Sequence, residues 1–174
     1  MEKLGGMQPT AFEHLRVGDV VVVRKNQWLP ADVVLLSTSG AEGVAYVETM
    51  NLDGETNLKI KKAPDETAHV RLDNLERFRG TLECDPPDSS LYTFTGNLTL
   101  PAAGAGRAAT ATATATAATV IPLSPVQVLL RGSSLRNTDW AIGCVVYAGH
   151  DTKVRRRKEN LGRSLSCGGY RPGG

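Results

Sequence analysis

Tyr46-Val47-Glu48-Thr49-Met50-Asn51-Leu52-Asp53-Gly54-Glu55-Thr56-Asn57-Leu58-Lys59 joins a β-prone pair to a turn and then to a second extended run. Tyr46 and Val47 favour a strand, Asp53-Gly54 is a strong turn dipeptide, and Leu58 to Ile60 resumes the extended pattern. Glycine tolerates the positive backbone dihedrals of a tight reversal, so Glu55 is expected on an exposed loop with its carboxylate projecting from the protein. Taken alone, Asp53-Gly54-Glu55 reads as the polar tip of a hairpin. Any further meaning has to come from the sequence around it.

Strands are expected on both sides. Val20-Val21-Val22-Val23 and Val33-Val34-Leu35-Leu36 are continuous apolar runs, the pattern of strands covered on both faces, and Ala45 to Thr49 is a third strand that leads into the loop. Gly80-Thr81-Leu82-Glu83-Cys84 and Leu91-Tyr92-Thr93-Phe94-Thr95-Gly96 alternate as half-buried strands do, and Asp85-Pro86-Pro87-Asp88 between them predicts a hairpin. Val126 to Leu130 and Cys144 to Tyr147 supply two more strands across a polar connection, 131–139. Asp73 is a candidate cap for a short helix through Leu75 and Phe78. About seven or eight short strands with little helix make the chain mainly β, a sandwich or distorted jelly roll.

The chain of 174 residues suits one core. With 41% hydrophobic but only 5% aromatic residues, that core is built mainly from Val and Leu. The net charge of +2 is uneven, because seven of the 20 Lys and Arg residues and one of the 18 acids fall in 153–174. The body is mildly acidic, which argues against a nucleic-acid partner; Tyr170 is the tail's one stacking group. Residues 1–9 read as a loose leader, 10–154 as the ordered unit, 101–119 as a low-complexity Ala/Thr/Gly insert, and 155–174 as a basic, Gly-rich, disordered tail. Residues 1–6 contain no apolar block of signal-peptide length, and the uncharged stretch 108–130 is broken by Pro122 and Pro125, so the chain is expected to be soluble.

Familiar catalytic and binding patterns fail on context. Gly104-Ala105-Gly106-Arg107-Ala108-Ala109 matches a dinucleotide fingerprint by letter but has no βαβ unit around it. Cys84, Cys144 and Cys167 form no Cys-x-x-Cys pair, and His14, His69 and His150 share no ligand spacing, so neither a disulfide framework nor a zinc site is expected. Asp53 and Glu55 stand too close in the chain to be placed with confidence on opposite sides of a glycoside, and no aromatic platform accompanies them. Asn97-Leu98-Thr99 fits a glycosylation acceptor, which matters only in a secreted protein.

The long motif does not stand alone. Val17-Gly18-Asp19-Val20 and Pro30-Ala31-Asp32 precede it; Thr95-Gly96, Leu129-Leu130-Arg131-Gly132, Leu135-Arg136-Asn137-Thr138-Asp139-Trp140 and Tyr147-Ala148-Gly149-His150-Asp151-Thr152-Lys153 follow it. This ordered set, spanning about Phe12 to Val154, resembles the actuator domain of the phospholipid-flipping branch of the P-type ATPases. The resemblance implies a distorted jelly roll, a double-stranded β-helix with little helix.

It also implies a role. In that family ATP phosphorylates an aspartate in a separate domain, and the actuator's loop glutamate then activates the water that hydrolyses the aspartyl phosphate. Glu55 occupies that position, with Asp53, Gly54 and Thr56 as the supporting loop. Asp53, where cation pumps carry Thr, is what suggests a phospholipid as the transported substrate. ATP and Mg2+ belong to the parent pump and no cofactor to this chain. The implied partners are the phosphorylation domain and membrane helices, and the implied setting is the cytoplasmic side of an integral membrane protein. The Asp-Lys-Thr-Gly-Thr phosphorylation sequence is absent here, so the chain reads as a piece of a longer pump. An alternative reading is a non-enzymatic β-domain that binds a protein or membrane surface through Lys153 to Lys158.

Overall fold

The computed structural model describes residues 2–3, 8–9, 14–88, 90–101, 118–153 and 163–167. Its strands, in chain order, are β1 (Glu2–Lys3), β2 (Gln8–Pro9), β3 (Val20–Arg24), β4 (Asp32–Thr38), β5 (Val44–Glu48), β6 (Lys59–Lys62), β7 (Gly80–Cys84), β8 (Gly96–Leu100), β9 (Thr119–Leu123), β10 (Val128–Leu129), β11 (Ser134–Arg136), β12 (Trp140–Tyr147) and β13 (Arg163–Cys167). One turn of α-helix, α1 (Met50–Asp53), lies between β5 and β6. The protein is mainly β and its pairings are antiparallel, as the jelly-roll reading expects.

The two continuous apolar runs occupy the middle of the molecule. β3 and β4 flank β12 in a sheet ordered β10-β4-β12-β3-β1-β2. Side chains alternate across a strand, so each run supplies both faces. Val20, Val22, Val34, Leu36, Ile142, Cys144 and Val146 pack against Leu82, Leu98, Ile121 and Leu123 of a second sheet, β13-β7-β8-β9. On the opposite face Val21, Val23, Val33, Leu35, Ala141 and Val145 pack against Ala45, Val47 and Leu135 of a third sheet, β11-β5-β6. The central sheet is thus covered on both sides, which explains why its strands carry no polar alternation.

Several boundaries differ from the expectations. β7 pairs with β8, Leu82 opposite Leu98, and residues 91–95 form an irregular segment where the second arm of a hairpin was expected. Leu82 and Leu98 are both fully buried, whereas Leu91, Tyr92 and Thr93 are at best half-buried. That register places the better apolar pair in the core. The expected strand at 126–130 shrinks to β10, because Pro125, Val126 and Gln127 form a 3-10 turn closed by a Ser124/Gln127 capping box. The polar connection 131–139 contains β11, which pairs with β5. The short helix near Phe78 is a 3-10 turn, Leu75–Arg77, preceded by Asn74 and not by Asp73.

Within the tail read as disordered, β13 runs along β7, Arg163 opposite Cys84; its Ser-Leu-Ser-Cys alternation is the local pattern for an edge strand. The rest of the tail, most of the leader and residues 102–117 of the insert lie outside the described residues, and so does the dinucleotide-like run 104–109. Spacing in sequence misled on one cysteine: Cys144, inside β12, is disulfide-bonded, while Cys84 is buried in the core.

Candidate functional site

β5 delivers the loop. Ala45 and Val47 point into the core while Val44, Tyr46 and Glu48 are half-buried, which fixes the strand's register. Glu48 is held by Arg136 of β11, whose Nε and Nη2 donate to Glu48 Oε2 at 3.0 and 2.8 Å, and by Ser134 Oγ at 3.1 Å. Arg136 holds the Glu48 carboxyl below the ordinary carboxylate range.

The loop proper begins as a helical turn and not as a two-residue hairpin. The N–H groups of Leu52, Asp53 and Gly54 donate to the carbonyls of Thr49, Thr49 and Met50 at 2.7, 3.2 and 3.0 Å. Gly54 ends the turn in the left-handed region, φ 75° and ψ 2°. This is the helix C-terminal position where glycine avoids the steric cost that a Cβ would meet. Leu52 anchors the turn from below: a Cβ at Gly132, itself at φ 83°, would lie 3.1 Å from Leu52 Cδ2. Above Gly54 there is open space: among the described residues, and its chain neighbours aside, no atom lies within 4 Å of where its Cβ would stand.

The two carboxylates of the loop have different surroundings. Asp53 Oδ1 accepts from Thr49 Oγ1 at 3.0 Å and from the Glu55 N–H at 3.1 Å. Its Oδ2 accepts from Lys59 Nζ at 2.5 Å and from the Tyr92 hydroxyl at 3.3 Å. The Lys59 hydrogen bond is the largest cause that holds the Asp53 carboxyl down to about 2, and the N–H of Glu55 and the hydroxyl of Thr49 add to it. Glu55 is exposed, with 55% of its side chain open, and one oxygen reaches Lys59 Nζ at 3.2 Å. Asp53 is therefore occupied in holding the loop together, whereas Glu55 is presented outward. Gly54 and Thr56 are exposed beside it.

Reading the motif residue by residue missed how Lys59, Thr49 and Tyr92 converge. Lys59 lies four residues after Glu55 at the start of β6, a spacing that could have signalled an ion pair. Tyr92 comes from the irregular segment before β8, 39 residues away in sequence, and no local signal places it here.

The other motifs meet at a second carboxylate. Asp32, fully buried at the start of β4, accepts the Arg131 N–H on Oδ1 at 2.7 Å and the Lys153 N–H on Oδ2 at 2.6 Å. Burial pushes its carboxyl up, against the pull of those two N–H groups. Lys153, the first residue of the basic cluster, is itself buried, with Nζ on Asp88 Oδ1 at 2.5 Å and on the Ser90 carbonyl at 3.1 Å. It is not part of a solvated basic surface; residues 154–158 lie outside the described residues. His14, His69 and His150 are exposed, and Asn97 is exposed on β8. Among the described residues no three His, Cys, Asp or Glu side chains are grouped so that they could hold a metal ion, and no helix is long and apolar enough to cross a membrane.

An antiparallel β-domain whose widely separated motifs fold back on one another, and which carries a glutamate on a glycine-capped loop, has the layout of an actuator module. A family model described as the P-type ATPase actuator domain matches residues 3–119, and the chain belongs to that family. It is 49% identical over 144 residues to the probable phospholipid-transporting ATPase 7 of Arabidopsis thaliana, covering 82% of this chain and 10% of that protein. Identity to phospholipid-transporting ATPase 6 of Arabidopsis thaliana is 46% over 144 residues, covering 82% and 10%. Identity to the phospholipid-transporting ATPase DRS2 of Saccharomyces cerevisiae is 43% over 143 residues, covering 82% and 9%. The chain spans about one tenth of the length of these curated relatives.

Proposed function

We propose that this chain is the actuator part of an ATP-driven phospholipid translocase, and that Glu55 promotes hydrolysis of an aspartyl phosphate carried by another domain of that pump. The observation that carries the reading is the division between two neighbouring carboxylates: Asp53 has four local donors, whereas Glu55 is open to solvent on a loop with free space above Gly54. The relatives' names supply the phospholipid. In the proposed step a water oxygen attacks phosphorus, the bond from phosphorus to the aspartyl oxygen breaks, and the aspartate leaves as a carboxylate. Glu55 accepts the proton of the attacking water, a task suited to a carboxylate within hydrogen-bond reach of it. The open space over Gly54 lets the phosphoryl group approach the backbone closely.

ATP and Mg2+ belong, in this reading, to the rest of the pump. On the loop itself, Asp53 is committed to Lys59, Tyr92 and Thr49. The domain's place is the cytoplasmic side of the membrane, next to the phosphorylation domain.

The test uses a chimera of the yeast relative in which residues 12–154 replace the matching segment. Phosphoenzyme formed from ATP is chased and its decay followed. Glu55→Gln is expected to slow that decay by about 100-fold or more, the usual scale for loss of a general base. The same substitution in the isolated chain is expected to leave its melting nearly unchanged, since Glu55 is exposed and its ion pair with Lys59 is a surface contact. Decay as fast as that of the unsubstituted chimera would overturn the assignment.

A further inference from the structure

The Lys59 ammonium has three N–H donors and three electron-rich neighbours: Asp53 Oδ2 at 2.5 Å, Glu55 Oε2 at 3.2 Å, and the face of the Tyr92 ring, whose centroid is 5.1 Å away. Tyr92 also donates its hydroxyl to Asp53 Oδ2, so ring and hydroxyl together close around the ammonium. The two sides of this contact come from different sheets. Lys59 opens β6 of the three-stranded sheet, and Tyr92 lies on the segment that enters β8 of the four-stranded one. Among the described residues, the Glu55 side chain is held at one point, the Lys59 ammonium. Hydrogen bonding to Asp53 raises the Lys59 ammonium above its ordinary value, so it stays charged across the physiological range.

We infer that Lys59, braced by Tyr92, is a positioning residue that fixes where the Glu55 carboxylate points. The inference rests on the role proposed for Glu55 above and adds to it how that side chain is aimed. A carboxylate on a tether of two methylenes samples several rotamers, and a displacement of about 1 Å at a reacting centre can cost about 100-fold in rate. Lys59 narrows that choice without consuming the carboxylate. Its shorter contact is to Asp53, which keeps the ammonium anchored, and the longer one leaves Glu55 Oε1 free for water. Tyr92 adds a further contact to the ammonium through its ring face.

The same chimera separates this inference from the one beneath it. Lys59→Met is expected to slow phosphoenzyme decay by about 10-fold to 100-fold while its formation from ATP is unchanged. Lys59→Arg, which restores a cation able to bridge two carboxylates, is expected to recover most of the rate. Tyr92→Phe removes one oxygen from a ring that is 60% exposed and is expected to slow decay about threefold, the scale of one modest hydrogen bond. If Glu55→Gln blocks decay but Lys59→Met and Tyr92→Phe leave it unchanged or faster, the positioning role falls and the role of Glu55 stands. If Glu55→Gln itself leaves decay unchanged, both fall. If Lys59→Met impairs formation and decay alike and Arg does not rescue it, Lys59 is merely structural and the inference is overturned. Should Lys59→Met prevent folding, Tyr92→Phe and Lys59→Arg carry the same decision.

Discussion

Asp32 stands at the start of β4 with no surface exposed, one oxygen on the Arg131 N–H and the other on the Lys153 N–H. Glu55 stands on the loop after β5 with more than half of its side chain in solvent and one oxygen on Lys59 at 3.2 Å. The first carboxylate ties its own strand to two segments that lie 99 and 121 residues from it in sequence. Among the described residues, the second reaches only Lys59 at the start of β6. A buried carboxylate is tolerated when its oxygens meet donors, and losing that match is costly; an exposed ion pair contributes little. Of the two, only the exposed one is free to meet a group on another domain. The contrast also explains why motifs as far apart as Pro30-Ala31-Asp32 and His150-Asp151-Thr152-Lys153 occur together: they build one clamp, and the clamp holds the platform from which the loop projects.

Asp32→Asn is the strongest test of that contrast in the isolated chain. The amide keeps one acceptor and turns an NH2 toward the other backbone N–H, leaving a buried donor unmatched. Unfolding by urea is expected to show a loss of about 1–3 kcal/mol. Unchanged stability would break the comparison, because Asp32 would then be no more structural than Glu55.

Gly54→Ala sharpens the comparison from the loop side. Alanine in the left-handed region costs about 1–2 kcal/mol, offset by about 0.4–1 kcal/mol from a less flexible unfolded chain, so a net loss of about 1 kcal/mol is expected in the same urea measurement. Among the described residues no steric clash adds to it, since, chain neighbours aside, a Cβ at this position meets no atom within 4 Å. A slowing of phosphoenzyme decay in the chimera greater than this stability loss can explain would show that the empty space is filled by the phosphorylated partner.

How much of this was legible in the sequence follows from the range of the interactions. β3 and β4 could be read directly, because a strand covered on both faces needs apolar residues at every position. Gly54 and its positive φ could be read as well, since the requirement is local. The partner of β7 could not: residues 91–96 alternate as a strand does, and the choice of 96–100 was made by Leu98 meeting Leu82 in a core that forms only when the sheets pack. The helical turn Met50–Asp53 was hidden behind a dipeptide that signals hairpins more often than helix ends. At the site, Glu55 was identified through its resemblance to a known family and Asp53 was grouped with it. What separates the two chemically is a tyrosine 39 residues away and a lysine whose role depends on both, and neither has a sequence signal until the fold brings them together.

Asp53→Asn has the smallest expected effect and the clearest dependence on pH. The substitution keeps an oxygen for the Thr49 hydroxyl and the Glu55 N–H but removes the charge that Lys59 faces, while Lys59 retains Glu55. Both side chains of the pair are partly open to solvent, so the loss near neutral pH is expected to stay below about 1 kcal/mol. Its sign follows from linkage. The folded carboxyl titrates at about 2 where the ordinary value is 3.8, so the folded state binds the proton less readily than the unfolded state. The stability it contributes is fully present above 3.8 and is lost as pH falls through about 2. Urea unfolding of the chain and of Asp53→Asn, compared from about pH 6 down to about pH 2, is expected to give two curves that run parallel and then converge at the acid end. Curves that stay parallel throughout would mean that the Asp53 charge does not stabilise the loop, and the division of labour between Asp53 and Glu55 would lose its physical basis.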